Sequence, residues 1–411
     1  MAKSQRHTAS VSATGHLVDS GMLSEAMDRI VRGGGTFRVH EFDLGRTNAD
    51  PSRATLEVGA ESRRLLDELL DRLVQLGFYT DAVKQLVVKR APRDGAAPDG
   101  FYSTTNHATE IYSNGRWRRV RHQRMDTTIV VNSDNDSPVC RKLRDLKRGE
   151  RVVCGHDGIR ILPEFKRRDR SDFGFMTTDV SSEKKVEWVV GRLCDWITKR
   201  TGKLIVVAGP VVIHTGGGEP LAAMIRDGHV DVLLGGNALA VHDVERALFG
   251  TSLGIDTATG VAVEHGHQNH MRAINAICRA GNLRKAVQRG IIKDGVMHAL
   301  ISRHVPYVLA GSIRDDGPLP EVISDAIAAQ EAYARHLRDA EIVLMLSSML
   351  HSIAVGNMLP AWVKTVCVDI NAQVVTKLAD RGSHQAIGCV TDVGLFLHML
   401  SDRLRNLKST N

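Results

Sequence analysis

The apolar positions of this chain change rhythm along its length, and those changes predict its elements. From Phe37 to Leu44 apolar and polar residues alternate, the spacing of a half-buried strand. From Glu61 to Leu76 the stripe Leu65, Leu66, Leu69, Leu73 and Leu76 has helical spacing, and Gln85 to Lys89 reads as another strand. This β-α-β opening predicts a small α+β domain over residues 36–125, of ferredoxin-like kind. Its later part, 90–125, is rich in Gly, Asn and Arg and predicts a hairpin through Ser113-Asn114-Gly115. Short strands follow at Thr128 to Val131, Arg151 to Cys154 and Ile159 to Leu162, parted by turn residues such as Asp157-Gly158. Residues 126–180 are therefore expected to form a small β subdomain that ends in a linker, Lys166 to Asp179. Residues 1–35 hold only a short amphipathic piece before Arg32-Gly33-Gly34-Gly35 and are expected to be a flexible leader.

Beyond Ser181 the rhythm becomes regular. Ser181-Ser182-Glu183 opens a helix with a hydroxyl cap and an acid in its first turn, and Val186, Val190, Leu193 and Ile197 form its apolar face. Apolar runs then recur at Leu204 to Ala208, Val230 to Leu234, Tyr307 to Ala310, Ile342 to Leu346, Val363 to Ile370 and Ala386 to Val390, with helical patterns between them. Continuous Val/Ile/Leu runs alternating with helices predict an α/β domain over 181–411, a parallel sheet covered on both faces.

Composition narrows the class. The 411 residues are 43% hydrophobic and 25% charged, the profile of a soluble enzyme of two or three domains. No apolar run approaches the ~18 residues that span a bilayer. Met1 to Ser20 has no apolar core of a secretory signal, so a cytoplasmic protein is expected. The net charge is +7, but aromatics make up only 4% and no stacking ladder accompanies basic residues such as Arg167, Arg168 and Arg170, so no nucleic-acid partner is expected. Cys140, Cys154, Cys194, Cys278, Cys367 and Cys389 include no C-x-x-C pair and read as reduced thiols. The run Glu264 to His270 lacks the outlying ligand of a zinc site, so no metal is expected. Its histidines read as lining an active-site mouth, where one could move protons near neutral pH. An α/β enzyme of this size is commonly a homo-oligomer.

In an open α/β sheet, ligands bind beyond the carboxyl ends of the strands, so the residues that follow each run carry the candidate chemistry. After Ala208 comes GPVVIHTGGG, with His214, whose glycines suit either close ligand approach or plain tight turns; the G-x-G-x-x-G fingerprint is absent. After Leu234 comes Gly235-Gly236-Asn237-Ala238, where Asn237 is either a helix cap or a cofactor ligand. After Ala310, the loop Gly311 to Pro318 holds Arg314, Asp315 and Asp316, either a solvated turn or contacts to cofactor and substrate. After Leu346, Ser347 and Ser348 open a helix with Met349, Leu350 and His351, a place for a pyrophosphate or a simple serine cap. Asp369 ends its strand where an acid accepts ribose hydroxyls, which favours NAD over NADP. Asp392 and Val393 sit at the start of the last helix and either approach a cofactor or only cap it.

The runs GPVVIHTGGGEPL, LLGGNALAVHDVE, GTSLG, LAGSIRDDGPLPE, LMLSSMLHSIAVGNMLP, VCVDINAQVVTKLADRGS and VTDVGLFL, with FRVHEFDLG and GHDGIRILPEF earlier, resemble one family. It is that of the archaeal and cyanobacterial ornithine cyclodeaminases, long called a LOR/SDH bifunctional conserved domain. The resemblance covers about Thr36 to the C-terminus. It implies a Rossmann-like C-terminal half of deoxyhypusine-synthase and sirtuin type that binds NAD through Asn237, Ala238, Asp316, Ser348, Met349, Leu350, His351, Asp369, Asp392 and Val393. It further implies L-ornithine as the small-molecule substrate and its redox-neutral conversion to L-proline and ammonia with NAD kept bound. Arginine hydrolysis is not expected, because the arginine-hydrolysing module has no counterpart here. Such a reaction needs a clamp for the α-carboxylate and an acid/base for the amines, for which Arg314, Asp315, His214, His267 and Lys377 are candidates by position. Three alternatives stay open: another diamino acid such as lysine, an NAD-sensing protein without turnover, and a sirtuin-like deacylase.

Overall fold

A computed structural model describes residues 7–15, 17, 21–45, 50, 52–74, 76–80, 85–162, 182–256, 259, 261, 263, 266–315, 317–380 and 386–409. Two compact units are present: Met1–Thr178 with Leu359–Ala361, and Asp179–Met358 with Trp362–Asn411.

The first unit opens with β1 (His7–Gly15), α1 (Met22–Arg32), β2 (Thr36–Asp43), β3 (Ser52–Ala60), α2 (Arg63–Val74) and β4 (Tyr79–Thr80). The sheet order is β2-β3-β1-β4, with antiparallel neighbours throughout. That is the β-α-β-β-α-β ferredoxin-like arrangement, placed over residues 7–80 rather than 36–125. Val11, Leu56 and Val58 point inward against Ile30, Leu66, Leu69 and Leu73 of the two helices. The expected flexible leader is thus corrected: it supplies β1, an interior strand. Its sequence, HTASVSATG, alternates small residues with a single Val, so the period-two signal is faint. Pairing along all of β3 is what holds it.

Seven short strands follow: β5 (Val87–Arg90), β6 (Ala108–Ser113), β7 (Arg116–Arg119), β8 (Thr128–Val131), β9 (Val139–Arg141), β10 (Arg151–Cys154) and β11 (Ile159–Leu162). They form two small sheets, β5-β10-β8-β9 and β11-β6-β7. Each sheet takes strands from both sides of the expected boundary at residue 125, because the pairings β5–β10 and β6–β11 are non-local. The expected linker, Lys166 to Asp179, lies outside the described residues.

The second unit carries α3 (Ser182–Lys199), β12 (Lys203–Ala208), α4 (Val211–His214), α5 (Gly218–Arg226), β13 (Val232–Gly236) and α6 (Asn237–Phe249). A small hairpin, β14 (Thr251–Ser252) and β15 (Ile255–Asp256), leads to α7 (Asn269–Ala280), α8 (Leu283–Gln288) and α9 (Val296–Ser302). Then come β16 (Tyr307–Ala310), α10 (Ala326–Leu337), β17 (Ala340–Leu346), α11 (Met349–Met358), β18 (Lys364–Asp369), α12 (Ala372–Asp380), β19 (Ala386–Val390) and α13 (Val393–Ser409). Six parallel strands lie in the order β16-β13-β12-β17-β18-β19, the doubly wound order of a Rossmann sheet. Both faces are covered. Leu204, Val206, Ala208, Ile342, Leu344 and Leu346 join a core with α3, α5, α9 and α13. The intervening Ile205, Val207, Val343 and Met345 are equally buried on the other side. No helix among the described residues is long and apolar enough to cross a membrane.

Because β1 lies between β3 and β4, removing residues 1–15 should abolish cooperative unfolding of the first unit. Leu56→Ala, at a fully buried position, should cost about 2–5 kcal/mol. Calorimetry of both variants checks this; an unchanged melting transition after the truncation would contradict the placement of β1.

Candidate active site at the carboxyl edge of the parallel sheet

Six parallel strands place all their carboxyl ends on one edge, and the strand order reverses between β12 and β17. That reversal opens the crevice in which doubly wound sheets take ligands. There the Gly209 N–H donates to the Leu346 carbonyl at 2.9 Å. A side chain on Gly209 would overlap the Ser347 carbonyl, so close backbone approach is what requires glycine here. Ser347 itself holds φ 45°, a left-handed turn that swings the chain from β17 into α11. Ser348 is buried beside this turn, while Met349 and Leu350 start the helix exposed, at 50% and 72%. Ile313 and Ile370, also just past strand ends, are exposed as well. A rim of apolar side chains in water marks a ligand surface.

His351 is fixed from behind. Tyr333 donates its hydroxyl proton to the Gly235 carbonyl at 2.6 Å, so the contact with His351 Nδ1 at 3.1 Å leaves the histidine as donor. The neutral ring then offers Nε2 as an acceptor beside the end of β13. Burial lowers its pKa, which keeps the ring neutral. A methyl on Gly236 would come within 2.8 Å of that Nε2. Gly236, extended at φ −100° and ψ 169°, is the residue that caps α6. The cap therefore lies one residue before Asn237, the position the sequence offered for it. Asn237 begins the helix, buried, and accepts from the Leu319 N–H at 3.1 Å, while Ala238 beside it is half-buried.

Asp369 is 8% exposed at the end of β18; one carboxylate oxygen accepts from the Asn371 N–H at 2.8 Å. Asp392 accepts from the Leu395 N–H at 2.9 Å and so caps α13, with Val393 buried behind it. Asp315 is spent on a turn, accepting from the Ser312 N–H at 2.8 Å. Arg314 beside it is exposed. Asp316 and the side chain of His267 lie outside the described residues. Lys377 is exposed in the last turn of α12, about 8 Å along the axis from that helix's start.

Behind this edge lies a buried polar cluster that no local sequence pattern assembles. Glu245 is fully buried on α6 and accepts from His242 Nδ1 (2.9 Å), the Thr251 hydroxyl (3.0 Å) and the N–H groups of Leu253 (3.2 Å) and Gly254 (3.0 Å). Burial pushes its carboxyl up, but these donors outweigh burial and hold it below the usual range. The His242 ring packs edge-on against His214, with centroids 4.7 Å apart, and His214 Nδ1 meets the Ser252 hydroxyl at 2.6 Å. Burial and the neighbouring His242 lower His214 to a pKa of about 4. His214 is therefore neutral at pH 7. Of the catalytic candidates among the described residues, it alone sits in such a network. The i,i+3 spacing of His242 and Glu245 within the helix that follows a strand was the available signal.

Three family descriptions tile the chain: the LOR/SDH bifunctional enzyme conserved region at 8–107, the first region of the arginine dihydrolase ArgZ-like C-terminal part at 108–190, and its Rossmann fold at 190–400. The ornithine cyclodeaminase of Methanocaldococcus jannaschii is 48% identical over 403 residues, covering 96% of this chain and 95% of that protein. The chain belongs to the ornithine cyclodeaminase family. A second member, the bifunctional arginine dihydrolase/ornithine cyclodeaminase AgrE of Nostoc sp., is 49% identical over 406 residues, and the match covers 96% of this chain but 58% of AgrE. Among solved structures, apo ArgZ, a cyanobacterial arginine dihydrolase, superposes with a TM-score of 0.86 at 42% identity, covering 99% of this chain and 60% of that one. The ternary complex of AgrE with ornithine and NAD+ superposes with a TM-score of 0.54 at 47% identity, covering 100% and 59%. The Rossmann-fold match at 190–400 spans the half of this chain that carries the edge described above.

Two outcomes test the geometry. Gly236→Ala should displace His351 and weaken dinucleotide binding at least tenfold by titration calorimetry, with the melting temperature little changed. A histidine whose folded pKa lies below its unfolded value of 6.5 carries fewer protons when folded, so the fold loses stability as pH falls from about 6.5 to about 4. His214→Gln should flatten that window in thermal melts across pH; an unaltered profile would contradict the reading.

Proposed function

We propose that this protein is an NAD-dependent ornithine cyclodeaminase that converts L-ornithine to L-proline and ammonia. The observation that carries the proposal is the doubly wound edge itself. The Gly209–Ser347 crossing, the α11 N-terminus and an acid at the end of β18 all converge on it in a chain nearly half identical to ornithine cyclodeaminases. The edge fits a dinucleotide. Asp369 has one bonded oxygen and a second for a ribose hydroxyl, and its charge disfavours a 2′-phosphate. Ser348 and the first turn of α11 suit a pyrophosphate, and Met349, Leu350 and Ile370 suit a flat ring. His351 Nε2 offers an acceptor to an amide N–H. Asn237, Ala238, Asp316, Asp392 and Val393 complete the proposed cofactor contacts.

Bound NAD would supply a hydride acceptor for the α-hydrogen of ornithine and return that hydride to the cyclised product, so no net oxidation results. The chain's own residues handle the rest. His214, neutral and oriented by Ser252, takes and returns the protons of the substrate amines. Glu245 holds His242 and the turn that carries Ser252, so it positions His214 rather than touching substrate. Arg314, exposed on its loop, is suited to clamp the α-carboxylate, and Asp315 shapes the turn that presents it.

The test is release of ammonia and proline from purified protein given L-ornithine, with and without NAD+. Proline formed with catalytic NAD+ and no net NADH is expected. Net NADH without proline would instead indicate a simple dehydrogenase, and turnover only of lysine would reassign the substrate. His214→Gln should lower kcat by ~10²- to 10⁴-fold while leaving NAD affinity intact, and Asp369→Ala should do the reverse.

A further inference from the structure

We propose that an arginine-lined cleft in the first unit binds a small multivalent anion carrying phosphate or carboxylate groups. The cleft has a volume of about 540 Å³ and takes Arg90, Arg121, Arg141 and Arg151 from four separate segments. That volume falls in the range of small-molecule sites, roughly 300–1,000 Å³. No part of the carboxyl edge contributes to it.

The charges around it are unbalanced. Arg151 on β10 stands directly opposite Arg90 on β5, and like charges so placed on adjacent strands repel. The cleft contains one carboxylate, Glu150, and it is already engaged: it pairs with Arg141 at 3.2 Å and accepts from the Lys147 N–H at 2.8 Å. The acids of the nearby loop are turned into its own hydrogen bonds, Asp134 with Ser133 and Asp136 with Asn132. Arg151 reaches only a neutral oxygen, that of Asn135, at 2.8 Å. Arg90 and Arg121 have no ion-pair partner among the described residues. The Nε atoms of Arg141 and Arg151 are buried without an acceptor, which costs free energy unless a ligand supplies one. Residues 87–162 hold fifteen Lys/Arg against nine Asp/Glu, so this region accounts for six of the chain's seven net positive charges.

Guanidinium forks match the paired oxygens of phosphate and carboxylate, and several converging on one hollow select for more than a single negative charge. The remaining lining, Ser133 and Ser137 among valines, adds hydroxyl donors and no aromatic platform for a stacked base. A compact anion fits this lining better than a nucleic-acid strand.

The experiment is titration calorimetry on the full chain with pyrophosphate, ATP and citrate at fixed ionic strength, for wild type and for Arg90→Gln/Arg151→Gln. Saturable binding of at least one probe is expected, weakened tenfold or more in the double variant, with NAD affinity unchanged. Preference for pyrophosphate and ATP assigns the site to phosphates; preference for citrate assigns it to carboxylates. Without anion, the double variant should melt no lower than wild type, since it removes a repulsion, and its melting temperature should no longer rise with the probe. If that variant does not fold, Arg121→Gln must show the same weakening. Equal affinity in wild type and variant, or heat that tracks ionic strength alone, overturns the proposal.

Discussion

Parallel pairing of β12 with β17 joins the two halves of the Rossmann sheet, and at its carboxyl end the two backbones come too close for any side chain on Gly209. The chain leaves β12 to one side and β17 to the other, because the strand order reverses there. Ser347 adopts its left-handed turn to make that departure possible. The crevice and the helix N-terminus at Met349 follow from this one crossing, and Asp369 stands one strand further on. A ligand site at the edge is thus a consequence of how the sheet is wound rather than an addition to it.

Behind the edge, two buried carboxylates are each held by several donors. Glu245 has no exposure and accepts four hydrogen bonds, two from the backbone of the turn that follows α6. A buried carboxylate with that many donors keeps its charge and fixes the turn's geometry. Asp243, on the same helix and also fully buried, accepts from the N–H groups of Val296 and Met297 at 2.9 and 2.7 Å and so anchors the start of α9. Tyr333 does comparable work for His351. These interior bonds orient imidazoles that the sheet alone would leave free to rotate.

The first unit is organised differently. Its ferredoxin-like sheet and the two small sheets after it depend on antiparallel pairings between distant strands. The net positive charge of the chain is gathered in the second of these parts, where Arg90 and Arg151 face each other across a strand pair. The two units accordingly differ in kind: an open carboxyl edge in one, a cationic hollow in the other.

The sequence by itself determined the α/β class, the six parallel strands and the residues at their ends. Continuous apolar runs such as Leu204 to Ala208 can be satisfied only inside a sheet covered on both faces. It also located Asp369 and the Ser348 to His351 turn at strand ends, because position after a strand is local information. Tertiary structure decided the rest. That Asp315 closes a turn, that Asp392 is a cap and that Lys377 lies down a helix depend on backbone groups no local pattern reveals. Strand β1 escaped notice because Ser, Thr and Ala carry little hydrophobic signal until β3 lies beside them. The set of His214, His242, Glu245 and Ser252 exists only once α4, α6 and the following hairpin have folded together, since a hydrogen bond across the fold has no signature in either partner alone.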